Sequence, residues 1–167
     1  MVESPLSDFA KQDQTIELDL ETGKWDILDY VATTDCGTVV HPQGLAAQLR
    51  GGSVMGIGLA GLERVVYDPQ NGLPANVGLY QAKPPSYLDV PGEMTVQWVD
   101  QPDPQNPMGI KGVGEPPMGC AAAALLCAIS DAMGGHYFNR TPVVPDMIIN
   151  AVAGQPQSHK PLDQFTQ

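Results

Sequence analysis

Positive charge is scarce in this chain: eight Lys and Arg stand against 19 Asp and Glu, for a net charge of −11. A surface of that sign repels a phosphate backbone, so nucleic-acid binding is not expected, and the acidity reads as solubility. Long apolar runs are missing too. No stretch approaches the roughly 20 residues needed to span a bilayer. Residues 1–14 carry Glu3, Asp8 and Asp13 without the apolar core of a secretory signal. The expectation is a cytoplasmic protein whose polar lead-in follows a natural start at Met1. The three cysteines, Cys36, Cys120 and Cys127, form no CxxC pair, so a Zn or iron–sulfur site borne by this chain lacks its ligand spacing. Buried thiols are expected instead, with Cys120 and Cys127 sharing one helix face.

Against these absences, 167 residues at 43% hydrophobic content suffice for one domain with a core. Gly (18) and Pro (16) are in excess, which points to tight turns and loops rather than a bundle of long helices. Residues 15–20 alternate apolar and polar, residues 21–24 make a turn, and Trp25 to Thr33 resumes the alternation, which predicts a β-hairpin. Gln43 to Arg64 reads as a helix interrupted by Gly51, Gly52, Gly56, Gly58 and Gly61. Each such Gly costs up to about 1 kcal/mol relative to Ala. Close approach of another backbone or of a ligand would offset that cost.

Val65 to Tyr67 predicts a short strand before the turn at Asp68 to Gly72. Residues 73–90 read as irregular, Glu93 to Val99 as a strand, and Asp100 to Met108 as a loop. A second helix is expected from Pro116-Pro117 to Gly134-Gly135, and a third over about Val144 to Ala153. The fold class is therefore α+β, with short antiparallel strands and hairpins packed against two or three helices. Its domain is expected over residues 15–153, between the lead-in of 1–14 and a polar tail of 154–167.

The most unusual segment is 109–117, where Gly109, Gly112 and Gly114 surround Lys111 and Glu115 ahead of two prolines. On composition alone, Glu115 reads first as a residue capping a helix behind a Gly-rich turn. The alternative is a general base, an anion favoured by the helix dipole and reachable because its neighbours carry no side chain.

Lys111-Gly-Val-Gly-Glu-Pro-Pro117, followed by a small-residue helix ending Ala128-Ile-Ser-Asp-Ala-Met133, resembles the catalytic segment of the xanthine dehydrogenase/aldehyde oxidase family. Further blocks resemble that family in the same order. They are Asp35 to Pro42, Gln48-Leu-Arg-Gly-Gly52 with Gly56-Ile-Gly58 and Glu63, Tyr80 to Pro91, and Thr141 to Pro145. The resemblance spans roughly residues 15–153 and matches the C-terminal part of the family's molybdopterin-binding subunit. His41 departs from it, standing where the family usually has Asn.

The resemblance implies that Glu115 is the active-site base in hydroxylation of an aldehyde or N-heterocycle, with water as oxygen source. It implies a molybdenum–molybdopterin cofactor, or its cytosine dinucleotide form, shared with a partner chain. Gln48, Gly112, Gly114, Gly119 and Cys120 are the cofactor-facing candidates, and no metal ligand is expected from this chain. For Gln48 the alternative is pairing within an interface. Gly119 and Cys120 are expected to present backbone N–H groups. Lys111 is expected as an exposed lysine, with loop orientation as the alternative, and Asp35 as a residue holding its own loop.

The family's upstream segments are absent, so the implied partners are a larger molybdopterin-binding subunit, a 2Fe–2S subunit and a subunit carrying FAD. Other readings are a non-catalytic remnant of the same family and a fragment of a longer molybdenum subunit.

Overall fold

The computed structural model describes residues 10–157. Strands β1 (Ala10–Leu18) and β2 (Trp25–Asp35) form the expected antiparallel hairpin, with Gln12 opposite Ala32 and Ile16 opposite Ile27. The turn is held by Asp19, whose carboxylate accepts from the Glu21 amide at 2.8 Å and the Thr22 hydroxyl at 2.7 Å. β1 begins at Ala10 rather than Thr15. Its polar start escaped the alternation rule because the inward positions are Gln12 and Gln14, amides that bond to a helix instead of burying hydrocarbon.

Strand β3 (Thr95–Val99) pairs with β2 in parallel, Val31 opposite Thr95 and Asp35 opposite Val99, giving the order β1-β2-β3. The antiparallel expectation therefore holds for the hairpin and not for β3. A parallel neighbour requires a long crossover, and here residues 36–94 supply it. That crossover contains helix α1 (Pro42–Gly61) and the one-turn helix α2 (Leu79–Ala82). Helices α3 (Pro116–Ala132) and α4 (Pro145–Val152) follow. The α+β class stands.

No strand forms at Val65 to Tyr67. The turn at 68–72 folds this stretch back on residues 74–76, with the Ala75 amide donating to the Val66 carbonyl at 2.7 Å, and Tyr67 makes only an isolated bridge to Pro74. Pro74 has no N–H with which to extend a ladder.

The core lies between the sheet and the α1–α3 pair: Tyr30 and Ala32 from β2, Ile57 and Ala60 from α1, Leu125 and Ile129 from α3, and Ile148 from α4. The glycines of α1 let its backbone reach α3. A Cβ on Gly56 would stand 2.6 Å from the Ala121 Cβ, and one on Gly52 would stand 2.9 Å from the Pro117 Cβ. Because Gly52 meets the start of α3 and Gly56 its next turn, the two helices run in the same direction. That contact is the offset expected for a glycine-rich helix, although Gly51 has nothing within 4 Å of its Cβ position. Among the described residues, no helix is long and apolar enough to cross a membrane.

Candidate active site

The segment carrying Glu115 is laid along the end of β2. The Thr38 amide donates to the Gly109 carbonyl at 2.7 Å, and the Lys111 amide to the Cys36 carbonyl at 2.9 Å. Gly37 and Gly109 both adopt left-handed φ, +65° and +69°, which a side chain would strain. A Cβ on Gly37 would also run into the Gly109 carbonyl.

Lys111 is half-buried and ion-paired with Asp35, so the expectation of an exposed lysine is corrected in favour of loop orientation. A cation beside a carboxylate at the strand end lowers the energy of both charged forms. The bond from Lys111, then that from the Gly37 amide at 3.0 Å, holds the Asp35 carboxyl below the usual carboxylate range. Asp35 thus holds its own loop, as expected, and the Glu115 segment as well. Val113 packs against Leu45, Leu49 and Cys36 in a second small core.

Beyond Val113, the chain turns into α3. Glu115 occupies the N-cap position with αR backbone, φ −84° and ψ −35°, and Pro116 and Pro117 open the helix. Its carbonyl accepts from the Met118 amide at 3.0 Å, while its side chain makes no capping bond and is exposed. The carboxylate is therefore not used in capping. Gly112, Gly114 and Gly119 are exposed, and nothing lies within 4 Å of where their Cβ atoms would stand.

Gln48, also exposed, sits on α1 between Leu45 and Leu49, the residues that pack Val113, and one turn before Gly52. A Cβ on Gly52 would be 3.4 Å from the Gly114 carbonyl, so the start of α3 and this stretch of α1 share one end of the helix pair. Two cavities, of about 620 and 300 Å³, lie elsewhere, the larger against Leu126, Cys127 and residues 137–141. None of Gln48, Gly112, Gly114, Glu115, Gly119 and Cys120 lines either one.

Among the cysteines, Cys36 is buried and Cys120 half-buried, and burial pushes both thiols up, away from a reactive thiolate. Cys127 is exposed, correcting the expectation of buried thiols. The buried stripe of α3 is Pro117, Ala121, Leu125 and Ile129, and a four-residue spacing turns it away from the Cys120–Cys127 line. His41 acts as N-cap of α1, its Nδ1 accepting from the Gly44 amide at 2.7 Å. A capping side chain is what an Asn there would also supply.

Sequence reasoning missed the supports beneath α3. The Gln12 amide donates to the Pro117 carbonyl at 2.9 Å, and that of Gln14 to the Ala121 carbonyl at 3.2 Å. Tyr30 donates its phenol to Gln12 Oε1, and burial pushes that phenol up to about 12. Ser53 Oγ, fully buried, donates to the Leu49 carbonyl at 2.7 Å. Two glutamines at alternate positions on the inward face of a strand were the available signal.

Among the described residues, no three His, Cys, Asp or Glu side chains gather as a metal set. What the chain offers is an exposed carboxylate on a tightly tied segment, with bare glycines beside it and an exposed glutamine on the neighbouring helix. Such a face can receive a bulky group at close range and move a proton beside it.

The profile of the molybdopterin cofactor-binding domain matches residues 8–91. Over 140 residues the chain is 35% identical to the 6-hydroxypseudooxynicotine dehydrogenase complex subunit gamma of Paenarthrobacter nicotinovorans, covering 83% of this chain and 18% of that protein. It is 30% identical to the nicotine 6-hydroxylase large subunit of the same organism, covering 83% and 17%. Quinoline 2-oxidoreductase from Pseudomonas putida 86 superposes with a TM-score of 0.78 at 34% identity, over 84% of this chain and 18% of that one. The chain therefore spans less than a fifth of the length of these relatives. The order of its motifs, its fold and these matches agree: the chain belongs to the molybdopterin cofactor-binding domain family, among the molybdenum hydroxylases of the xanthine dehydrogenase/aldehyde oxidase type.

Proposed function

We propose that this chain supplies the base, Glu115, and one face of the cofactor site to a molybdenum hydroxylase completed by further polypeptide. The observation that carries this reading is the state of Glu115. Its segment is tied down on both sides, yet its carboxylate is exposed and makes no cap. A Glu serving only as a helix cap would bond to amides of its own first turn, but the first two of those positions are prolines and offer none.

The bare glycines fit a group that approaches the backbone closely. In this reading, Gly112 and Gly114 would leave room beside Glu115 for the pterin and its metal, Gln48 would hydrogen-bond to the cofactor from α1, and Gly119 and Cys120 would offer it their backbone in the first turns of α3. The molybdenum–pterin cofactor supplies activation of water as the oxygen source and accepts the substrate's electrons. Glu115 would take a proton from that water as its oxygen bonds to the substrate carbon, while the hydrogen on that carbon leaves with two electrons to the cofactor; a base so placed contributes roughly 10²–10⁴ in rate. The Asp35–Lys111 tie keeps the carboxylate in place, so that little reorganisation is needed.

The substrate class is an aldehyde or an N-heterocycle; quinoline and nicotine in the relatives' names are of the second kind. Iron–sulfur and flavin groups on partner subunits would carry the electrons away. Whether the remaining polypeptide is a separate subunit or a longer form of this chain, the role of Glu115 is the same.

The test is Glu115→Gln in the assembled enzyme. Molybdenum and pterin content should survive while kcat falls by about 100-fold or more. Unchanged turnover with full cofactor content would overturn the assignment.

A further inference from the structure

Beneath α3, strand β1 turns two glutamines inward, Gln12 and Gln14, where a strand over a core ordinarily places hydrocarbon. Their amides reach two carbonyls one turn apart on the buried stripe of α3. Gln12 donates to that of Pro117 at 2.9 Å, and Gln14 to that of Ala121 at 3.2 Å. The spacings match. Alternate residues of a strand stand about 6.6 Å apart, and four residues of a helix rise about 6 Å. Because the earlier glutamine meets the earlier carbonyl, α3 lies along β1 in the same direction.

Neither bond is one that the helix needs. The carbonyls a helix leaves without an internal partner are its last four, residues 129–132 here, and Pro117 and Ala121 lie well before them. Nor do these amides simply add stability. Gln14 Oε1 is buried without a hydrogen-bond partner among the described residues, which opposes folding.

What the bonds add is direction. α1 meets α3 where Gly52 and Gly56 face Pro117 and Ala121, a contact of small groups. Apolar contact is non-directional, so it holds the helices together without fixing their height along the axis. A hydrogen bond weakens steeply once its geometry is lost. Two of them, one turn apart, fix both the height of α3 and its rotation.

The bond nearer Glu115 is itself held. Gln12 Oε1 accepts from the Tyr30 hydroxyl, and its Nε2 also lies 3.5 Å from Ser53 Oγ. Tyr30 of β2 and Ser53 of α1 are fully buried. Four elements thus meet in one polar knot that ends on the Pro117 carbonyl, two residues after Glu115. A buried network whose members are paired rigidifies the place where it sits.

We infer that Gln12 and Gln14 are positioning residues, a register lock between β1 and α3 that sets where the Glu115 carboxylate stands. This rests on the reading of Glu115 as the base and adds what fixes it from below, as the Asp35–Lys111 pair fixes the segment before it.

Two variants of the assembled enzyme test it. Gln12→Met/Tyr30→Phe removes both polar partners at nearly constant volume and should melt closer to wild type than Gln12→Met alone. Gln14→Met leaves the bond between Gln12 and Tyr30 in place, so it reads the lock even where the double variant does not fold. In each, hydrogen exchange at residues 118–121 should quicken at least about tenfold, while residues 125–129 keep the wild-type rate. The kcat should fall about tenfold or more, with KM and molybdenum content unchanged.

Exchange that quickens evenly along α3, or not at all, would mean ordinary structural support and would overturn the lock. So would an unchanged kcat in both variants of an enzyme that Glu115→Gln inactivates, an outcome that keeps the base. Localised exchange beside normal turnover of Glu115→Gln keeps the lock and refutes the base.

Discussion

The Lys111 ammonium is paired with the Asp35 carboxylate, 76 residues earlier in the chain. Asp35 is the last residue of β2 and stands in register with Val99 of β3, so the pair joins the sheet to the segment that ends at Glu115. A carboxylate on a loop has many positions open to it, and this tie leaves few.

Asp35→Asn and Lys111→Met should each lower the melting temperature, and together they should cost less than the sum, because both remove one interaction. Additive losses in thermal denaturation would mean that the pair is not coupled. In the assembled enzyme, either change should lower kcat while molybdenum content is kept. The pH dependence has a definite sign. The folded Asp35 carboxyl lies below its ordinary 3.8, so its contribution is present above that pH and is lost as pH falls through the lower folded value. Asp35→Asn should remove that acid-dependent component.

Asp89 should behave in the same direction, at a value that can be checked. Lys83 and Ser86 hold its carboxyl down at about 2. The tie that Asp89 makes to Lys83 and Ser86 across the bend at 83–89 is therefore at full strength above pH 3.8 and is lost as pH falls through about 2. The Ser86 amide resonance should titrate with that midpoint and should not titrate in Asp89→Asn. A midpoint near 4, the ordinary carboxylate value, would show that the bend is not tied as described.

Gly56→Ala and Gly51→Ala make a matched pair in one helix. At Gly56 the new methyl would meet Ala121 and the α3 backbone, and the expected loss is about 1–3 kcal/mol. At Gly51 nothing lies within reach, and Ala should be neutral or stabilise by up to about 1 kcal/mol. Chemical denaturation of both variants measures the difference, and equal effects would contradict the close packing of α1 on α3.

Gln12→Leu should destabilise by about 1–3 kcal/mol, since it leaves the buried Tyr30 phenol with Ser53 alone and removes a donor from the Pro117 carbonyl. Tyr30→Phe in that background should recover part of the loss. No recovery would mean that Tyr30 finds another acceptor when Gln12 is gone.

Glu115→Asp should retain cofactor yet turn over poorly, because the carboxylate retreats by one methylene on a fixed segment. Activity close to wild type would argue for a mobile loop and against the tie through Lys111.

Much of the fold was legible because its signals are local. Period-two alternation and the Asp19 turn specify the hairpin. Proline at the first turn and glycine after the last bracket α3, and Pro145 opens α4. The motif around Glu115, with glycines on both sides of it, could also be read directly from the chain. The Val65 to Tyr67 strand could not be judged in this way, because a β-prone triplet becomes a strand only where a sheet edge is available.

The sequence alone thus determined the α+β class, the helix starts and the singular character of the 109–117 segment, since each depends on neighbours a few residues apart. Only the tertiary structure decided that β3 lies parallel to β2, that Lys111 answers Asp35, and that Gln12 supports Pro117. It also divided the glycines, pressing Gly52 and Gly56 against a helix and leaving Gly112, Gly114 and Gly119 open. The physical reason is that such pairs form across tens of residues. Their partners are chosen by packing and charge once the chain has closed on itself, and no local pattern records that choice.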